Sequence, residues 1–188
     1  MDPLQFLFQR RSTPSRLLTE PGPDPEALRR MLAAAAHVPD HGRLVPWRFI
    51  AVRGEQRQRL GELLARRSLE RDPAAAPAAV DKARHRFDAA PLVLVAVARL
   101  SVGHKVPEQE QLLSGGAACL SLLLAAQALG FGAQWLTGWA AYDPPVLAAL
   151  GLGEHERILG FIHLGSAPGP APERERPDPD SLLSESAL

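Results

Sequence analysis

The sequence predicts a one-domain fold of the α/β or α+β class, a three-layer sandwich in which helices cover both faces of a sheet. Two stretches carry this prediction. Residues 91–98 are apolar without polar alternation, as is typical of a central strand covered on both faces. Residues 111–142 include no charged side chain, and residues 120–129 within them are nearly all Leu and Ala, which predicts a long buried helix. A chain of 188 residues is long enough to bury such a core without disulfides.

The first half of the chain reads as helix, helix, strand and helix. Residues 3–11 form an amphipathic pattern that ends at a Ser-Thr-Pro turn. A second helix should begin after Asp24, an N-cap residue followed by proline, and end before Pro39. A short strand over 49–52 and an arginine-rich helix over 55–67 follow.

The second half predicts two further strands and a tail. The stretch from residue 72 to Phe87 begins with Ala and Pro, and its composition favours a mobile or partly helical lid rather than a core element. After the central strand, the predicted order is a helix over 108–129, a strand over 132–137, a small helix capped by Asp143 and a last strand over 158–164. Five prolines in residues 167–180 predict an extended segment without secondary structure. We therefore divide the chain into a domain over residues 1–166 and a Pro-rich C-terminal arm over residues 167–188.

Charge and cysteine content restrict the function classes. The 21 basic and 21 acidic residues cancel, which argues against nucleic acid as a partner. Cys119 has no disulfide partner and no signal peptide opens the chain, so we expect a cytoplasmic protein. Residues 111–142 are apolar enough for a membrane span, but Gln127, Gln134 and the Gly-Phe-Gly break favour a helix buried by protein instead of lipid. Its cover could come from its own domain or from a second subunit, which makes a dimer interface plausible.

Two clusters could carry chemistry. His37, Asp40 and His41 have the spacing of metal ligands and leave a metal-dependent hydrolase as an alternative, although Pro39 interrupts the helix that would align the two rings. Arg10, Arg11 and Ser12 together offer several hydrogen-bond donors for a phosphate. The alternative is that these residues form an ordinary solvated surface without a ligand. Cys119 lies in the apolar helix, where a structural thiol is favoured over a nucleophile.

Five motifs, in order, resemble the small bacterial FMN-dependent nitroreductases over roughly residues 3–166. They are Arg10-Arg11-Ser12 with Arg16, Pro39-Asp40-His41 with Pro46-Trp47-Arg48-Phe49, His104-Lys105-Val106-Pro107, Gly130-Phe131-Gly132-Ala133-Gln134-Trp135, and Gly160-Phe161-Ile162-His163-Leu164-Gly165. The resemblance implies a homodimer with FMN in two sites at the subunit interface. It also implies hydride transfer from NADH or NADPH to nitro compounds, quinones or similar acceptors, without a membrane partner.

The resemblance also assigns residues to the site. Arg10, Arg11 and Ser12 resemble the contacts to the FMN phosphate and ribityl chain, and His37 and His41 resemble flavin contacts from the partner subunit. The isoalloxazine edge would lie along Trp135, Leu136 and Thr137. The nicotinamide would lie near Ala125, Ala126, Gln127, Ala128, Leu129 and Gly130.

The cofactor would carry the chemistry, so no catalytic side chain is required. A positive charge near the pyrimidine end of the flavin favours two-electron reduction, and Arg16 is the candidate for that charge. A flavin-binding sensor or carrier without turnover is the alternative that the same motifs leave open.

Overall fold

The structure is a computed structural model that describes residues 2–186. Over this range the chain forms an α+β sandwich. The helices are α1 (Pro3–Phe8), α2 (Pro25–Ala35), α3 (Glu55–Arg71), α4 (Pro77–Arg84), α5 (Glu108–Ala128) and α6 (Pro144–Ala149). The strands are β1 (Trp47–Arg53), β2 (Leu92–Arg99), β3 (Gly132–Leu136) and β4 (Glu156–Gly165). Short 3-10 turns occupy Ser15–Leu17, His41–Arg43, Trp139–Ala141 and Pro179–Leu182.

The four strands form one sheet in the order β1-β2-β4-β3, and every neighbouring pair is antiparallel. Strand β2 lies inside the sheet, and residues 92–98 are buried, which confirms the prediction of a central strand. Strands β1 and β3 are the two edges. The antiparallel pairing assigns the fold to the α+β form of the predicted class.

Each face of the sheet carries its own apolar core, so the predicted three layers are confirmed. On one face α2 and α5 pack on the sheet through a cluster that includes Met31, Leu122 and Ile162. On the other face α3 and α6 bury Leu64 and Val146, with further members of the second cluster beneath them.

Helix α2 begins as predicted. The Asp24 carboxylate accepts a hydrogen bond from the Ala27 N–H at 2.7 Å, and Pro25 occupies the first turn. The small helix α6 uses the same device, because Asp143 caps the Val146 N–H. These helix starts are local and could be predicted from their capping residues alone.

The segment after residue 72 is not the non-core lid that its composition predicts. Helix α4 packs so closely on α3 that a Cβ at Gly61 would lie 2.0 Å from the Arg84 carbonyl oxygen. Val80 is buried, and Phe87 is 0% exposed in the second core cluster. Helix α4 confirms the partly helical prediction, but the exclusion of this stretch from the core was wrong, because Ala and Pro dominate its composition while Val80 and Phe87 point inward.

The predicted central helix is present as α5, but it is covered on one side only. Within residues 2–186 it is the one helix long and apolar enough to cross a membrane, and 44% of its most apolar window is buried. Cys119 and Leu122 face the sheet and are 0% exposed. Leu113 and Leu120 face outward and are 65% and 46% exposed. An apolar stripe on α5 therefore remains uncovered within one chain.

The C-terminal arm leaves the sheet after Gly165 and runs back to the N-terminal segment. It is extended as predicted up to residue 178, where Asp178 caps a short 3-10 turn over Pro179–Leu182 that the proline content did not predict. The arm is held through the side chains of Glu173 and Arg176, which contact Arg11 and the Arg10 carbonyl oxygen.

Candidate functional site

The N-terminal segment lies along the free edge of β3. The Thr13 N–H donates to the Ala133 carbonyl oxygen at 3.0 Å, and the Ser15 N–H donates to Gln134 Oε1 at 2.6 Å. These contacts draw residues 10–16 away from α1, which ends at Phe8 instead of reaching residue 11 as its pattern predicts. Arg10 and Arg11 consequently lie in an extended segment beside the start of β3.

A cavity of about 460 Å³ opens between this segment, the end of α5 and the arm. Its walls combine guanidinium groups with glycine and small apolar residues. They are Gln9, Arg10, Arg11, Thr13, Leu123, Gln127, Gly130, Phe131, Gly132, Ala133, Ala167, Gly169, Pro170, Ala171 and Glu173. The predicted phosphate residues Arg10 and Arg11 thus share a cavity with Gln127 and Gly130 of the predicted nicotinamide segment.

The same segment faces a second, smaller cavity with a positive lining. Arg10, Arg11 and Ser12 meet Arg174 and Arg176 of the arm in a space of about 240 Å³. Burial lowers the pKa of Arg10, and the positive charges of Arg176, Arg11 and Arg174 lower it further. Glu173 also lines this cavity, and its single carboxylate faces the four guanidinium groups of Arg10, Arg11, Arg174 and Arg176, so the lining keeps a net positive charge.

Arg10 and Arg11 differ in how their N–H groups are used. Among the residues that the structure describes, the Arg10 guanidinium makes only a long hydrogen bond, 3.5 Å from Nη1 to the Ser12 hydroxyl. Arg11 instead donates from Nε and Nη2 to the two carboxylate oxygens of Glu173 at 2.9 and 2.8 Å. Its Nη1 also donates to the carbonyl oxygens of Phe8 and Arg10.

The opposite end of β3 carries the predicted residues Trp135, Leu136 and Thr137. The Trp135 indole donates from Nε1 to the Leu159 carbonyl oxygen at 3.0 Å. A Cβ at Gly160 would lie 2.0 Å from that nitrogen, so glycine is required there. Leu136 is half-buried and Thr137 is exposed.

A half-buried cation lies beside this end of β3. Arg86 donates from Nη2 to the Thr137 carbonyl oxygen and lies 5.8 Å from the centre of the Phe161 ring. Burial lowers the pKa of Arg86, and its Nε finds no hydrogen-bond partner within residues 2–186. Arg16, the cation that the sequence proposed for this role, is exposed on the turn after Pro14.

His41 lies far from the arginine cluster within one chain, and within residues 2–186 His37 makes hydrogen bonds only to α2. His37 Nδ1 contacts the Ala33 carbonyl oxygen at 2.7 Å, and His41 Nδ1 contacts the Glu110 carboxylate at 2.7 Å. Glu110 is in the first turn of α5, whereas Gln127, close to its last residue, lines the larger cavity. The rise of 1.5 Å per residue separates these two positions by about 25 Å.

The metal-ligand arrangement does not form. Asp40 accepts hydrogen bonds from the N–H groups of Leu44 and Val45, which folds the loop after it. In the part of the chain that the structure describes, no group of three His, Cys, Asp or Glu side chains could hold a metal ion. Cys119 is the buried thiol expected from the sequence, and burial raises its pKa to about 12.

Sequence reasoning missed the charged residues that complete the two ends of β3. Arg174, Arg176 and Glu173 belong to an arm that was predicted only as extended chain, and Arg86 belongs to the predicted lid. The alternation of Arg174 and Arg176 was a detectable signal, because residues two apart in an extended segment point to the same side.

Comparison with known proteins gives a consistent result. The model of the nitroreductase family matches residues 7–166. YdjA of Escherichia coli (strain K12), which is named as a candidate NAD(P)H nitroreductase, is 39% identical over 166 residues and covers 88% of each chain.

Two solved structures are similar over the whole chain. A candidate nitroreductase from Desulfovibrio desulfuricans, crystallised in complex with FMN, has a TM-score of 0.77 at 25% identity and covers 100% of this chain and 99% of that one. A variant of NfnB from Sphigopyxis sp. strain HMH, named as an FMN and NADPH-dependent nitroreductase, has a TM-score of 0.80 at 22% identity and covers 100% of both chains.

Proposed function

This chain belongs to the nitroreductase family and is an oxidoreductase, and from that premise we propose that it uses FMN to pass hydride from NADH or NADPH to a small-molecule acceptor. The acceptors are nitro compounds, quinones or chemically similar molecules. Hydride exchange with the nicotinamide and with the acceptor is the chemistry that FMN supplies when it is bound. The protein's part is to bind, orient and shield the reacting groups.

The single observation that carries the proposal is the unneutralised arginine cluster at one end of β3. Arg10 and Ser12 offer donors that are little used within the chain, and Arg174 and Arg176 add positive charge to the same small cavity. A phosphate carries the negative charge and the acceptor oxygens that this donor set requires. We assign the FMN phosphate to this end, with Arg11 beside it.

The other end of β3 suits the isoalloxazine ring. From Gly132 to Thr137 the chain extends about 17 Å at 3.3 Å per residue, so a molecule with its phosphate at Arg10 would have to span this length to place its ring at Thr137. We assign the ring edge to Trp135, Leu136 and Thr137, where backbone groups can meet the ring nitrogens. Arg86 supports this assignment, because it brings a half-buried positive charge against the Thr137 carbonyl.

We propose that the working unit is a homodimer in which each site takes residues from both chains. His41 can reach the site of Arg10 only from a second copy, since about 25 Å of α5 separates its partner Glu110 from the cavity that Arg10 lines within one chain. We assign His37 to the partner's site together with His41. The exposed Leu113 and Leu120 on α5 give that second copy an apolar surface to cover.

The remaining assignments follow from the same arrangement. Residues 125–130 border the larger cavity through Gln127 and Gly130, and we propose this segment for the nicotinamide. No protein nucleophile is needed, and the high pKa of Cys119 keeps its thiol protonated at neutral pH. The free thiol of Cys119 also fits the reducing cytoplasm, which we propose as the location.

The absorption spectrum of the purified protein tests the proposal most directly. We expect the bands of an oxidised flavin, FMN as the molecule released on denaturation, and bleaching of the bands by NADH or NADPH. A colourless protein that takes up no added FMN would contradict the function. Bound FMN without steady-state NAD(P)H oxidation, with nitro compounds or quinones present, would favour a flavin sensor or carrier instead.

A further inference from the structure

The Arg11 side chain is engaged almost completely by its own chain. Its Nε and Nη2 meet both carboxylate oxygens of Glu173, which is the paired geometry of the strongest guanidinium contacts. Its Nη1 bridges the carbonyl oxygens of Phe8 and Arg10 at 2.6 and 3.1 Å. Few donors remain on Arg11 for a phosphate, whereas Arg10 beside it retains nearly all of its own.

The arm is attached to the N-terminal segment on both sides of Arg174. Glu173 is bound by Arg11, and Arg176 donates from Nη2 to the Arg10 carbonyl oxygen at 3.1 Å. Pro172 and Pro177 flank this stretch and stiffen it, because proline fixes one backbone angle at each position. The position of Glu173 therefore determines where the guanidinium groups of Arg174 and Arg176 stand relative to Arg10.

The Arg11–Glu173 pair contributes little to stability by itself. The Glu173 side chain is 80% exposed, and exposed ion pairs contribute little to the free energy of unfolding. Its consequence is positional, since it joins residues 162 positions apart at the mouth of the proposed phosphate site.

We propose that Arg11 and Glu173 form a clasp that holds the C-terminal arm over the phosphate end of the FMN site. In this arrangement Glu173 is a positioning residue, Arg11 is its anchor, and Arg10, Ser12, Arg174 and Arg176 bind the phosphate. The clasp rests on the proposed FMN-dependent function and goes beyond it, because it assigns a carboxylate to the binding of an anion.

The direction in which one substitution changes the affinity for FMN distinguishes the clasp from a purely electrostatic effect. Glu173→Gln removes a negative charge near the phosphate, so electrostatics alone predicts tighter FMN binding. The clasp predicts weaker binding, because the arm loses its anchor and the two arm arginines lose their fixed position. Glu175→Gln is the matched control, since it removes the same charge from the same arm, and Glu175 makes no ion pair within residues 2–186.

The experiment titrates apoprotein variants with FMN and with riboflavin, following the quenching of flavin fluorescence. For Glu173→Gln we expect the Kd for FMN to rise roughly three- to tenfold, as for the loss of part of a charge-assisted contact. The Kd for riboflavin should stay within about twofold of the wild-type value in both variants, and Glu175→Gln should not weaken FMN binding. Tighter or unchanged FMN binding in Glu173→Gln would overturn the clasp.

Two further measurements separate the clasp from its competitors. If Arg11 acts through Glu173, the double variant Arg11→Ala/Glu173→Ala should bind FMN no more weakly than Arg11→Ala. If the losses of FMN affinity in the two single variants add up in the double variant, Arg11 is instead a direct phosphate ligand. Trypsin should cleave Glu173→Gln apoprotein after Arg174 faster than wild type, with no change in melting temperature; the bond after Arg176 resists trypsin because Pro177 follows it. If the wild-type protein bound neither flavin, the proposed function would fail, and not the clasp alone.

Discussion

Arg10→Ala isolates the phosphate contacts from the rest of the FMN site. Arg10 lies in the small cavity with Ser12, Arg174 and Arg176, at the end of β3 opposite Thr137. Riboflavin lacks the phosphate but retains the ring and the ribityl chain. The substitution should therefore weaken FMN and leave riboflavin nearly unaffected.

The expected size of the loss follows from the surroundings of Arg10. A hydrogen bond to a charged group contributes about 1.5 to 3 kcal/mol. Burial lowers the pKa of Arg10, and the like charges of Arg176, Arg11 and Arg174 lower it further, so removal of Arg10 also relieves repulsion in the unliganded protein. We therefore expect the lower part of the range, about 1.5 to 2 kcal/mol, which is roughly a ten- to thirtyfold rise in the Kd for FMN.

Fluorescence titration of the apoprotein measures the Kd values for FMN and for riboflavin. Both titrations use one moderate salt concentration, because salt screens a partly exposed guanidinium. Arg30→Ala is the control, since Arg30 is an exposed arginine on α2. Equal losses for FMN and riboflavin would refute the reasoning, because Arg10 would then support the ring pocket or the fold instead of the phosphate.

Three other outcomes are expected. If α5 forms the dimer interface, Leu120→Glu should produce monomers in sedimentation experiments. The control Leu69→Glu should leave the dimer intact, because Leu69 is nearly as exposed as Leu120 but lies on α3. Val45 is exposed and holds a φ of 48°, a left-handed backbone conformation that Asn adopts more readily than a β-branched residue. Val45→Asn should therefore raise the free energy of unfolding, measured in urea, by about 1 kcal/mol, whereas the control Val102→Asn, at another exposed valine, should not raise it. Arg48 lowers the pKa of Glu156 to about 2, which is below the pKa of this carboxyl in the unfolded chain. The pair therefore stabilises the folded state fully at a pH above the unfolded pKa, and this contribution is lost as the pH falls through about 2. Glu156→Gln should therefore cost about 1 to 2 kcal/mol at neutral pH, and the difference from wild type should shrink in melts between pH 5 and pH 2.

The sequence alone determined the features that depend on local chemistry. Asp24 followed by Pro25 fixed the start of α2, and the uninterrupted apolar run of residues 92–98 marked the interior strand, because capping and burial patterns act over a few residues. The motif at residues 10–12 could be recognised for the same reason: its donors are adjacent in the chain.

Only the tertiary structure decided which distant charges complete the site. Glu173 meets Arg11 across 162 positions, and Arg86 meets the Thr137 carbonyl across 51. Neither contact leaves a periodic pattern, since one partner lies in a Pro-rich arm and the other in a segment whose composition predicted a lid. The separation of His41 from Arg10 was also invisible in sequence, because it depends on α5 running the width of the sheet between them. Periodicity reports which face of an element is buried, whereas pairing between elements depends on how the sheet and its two helical layers bring remote segments together.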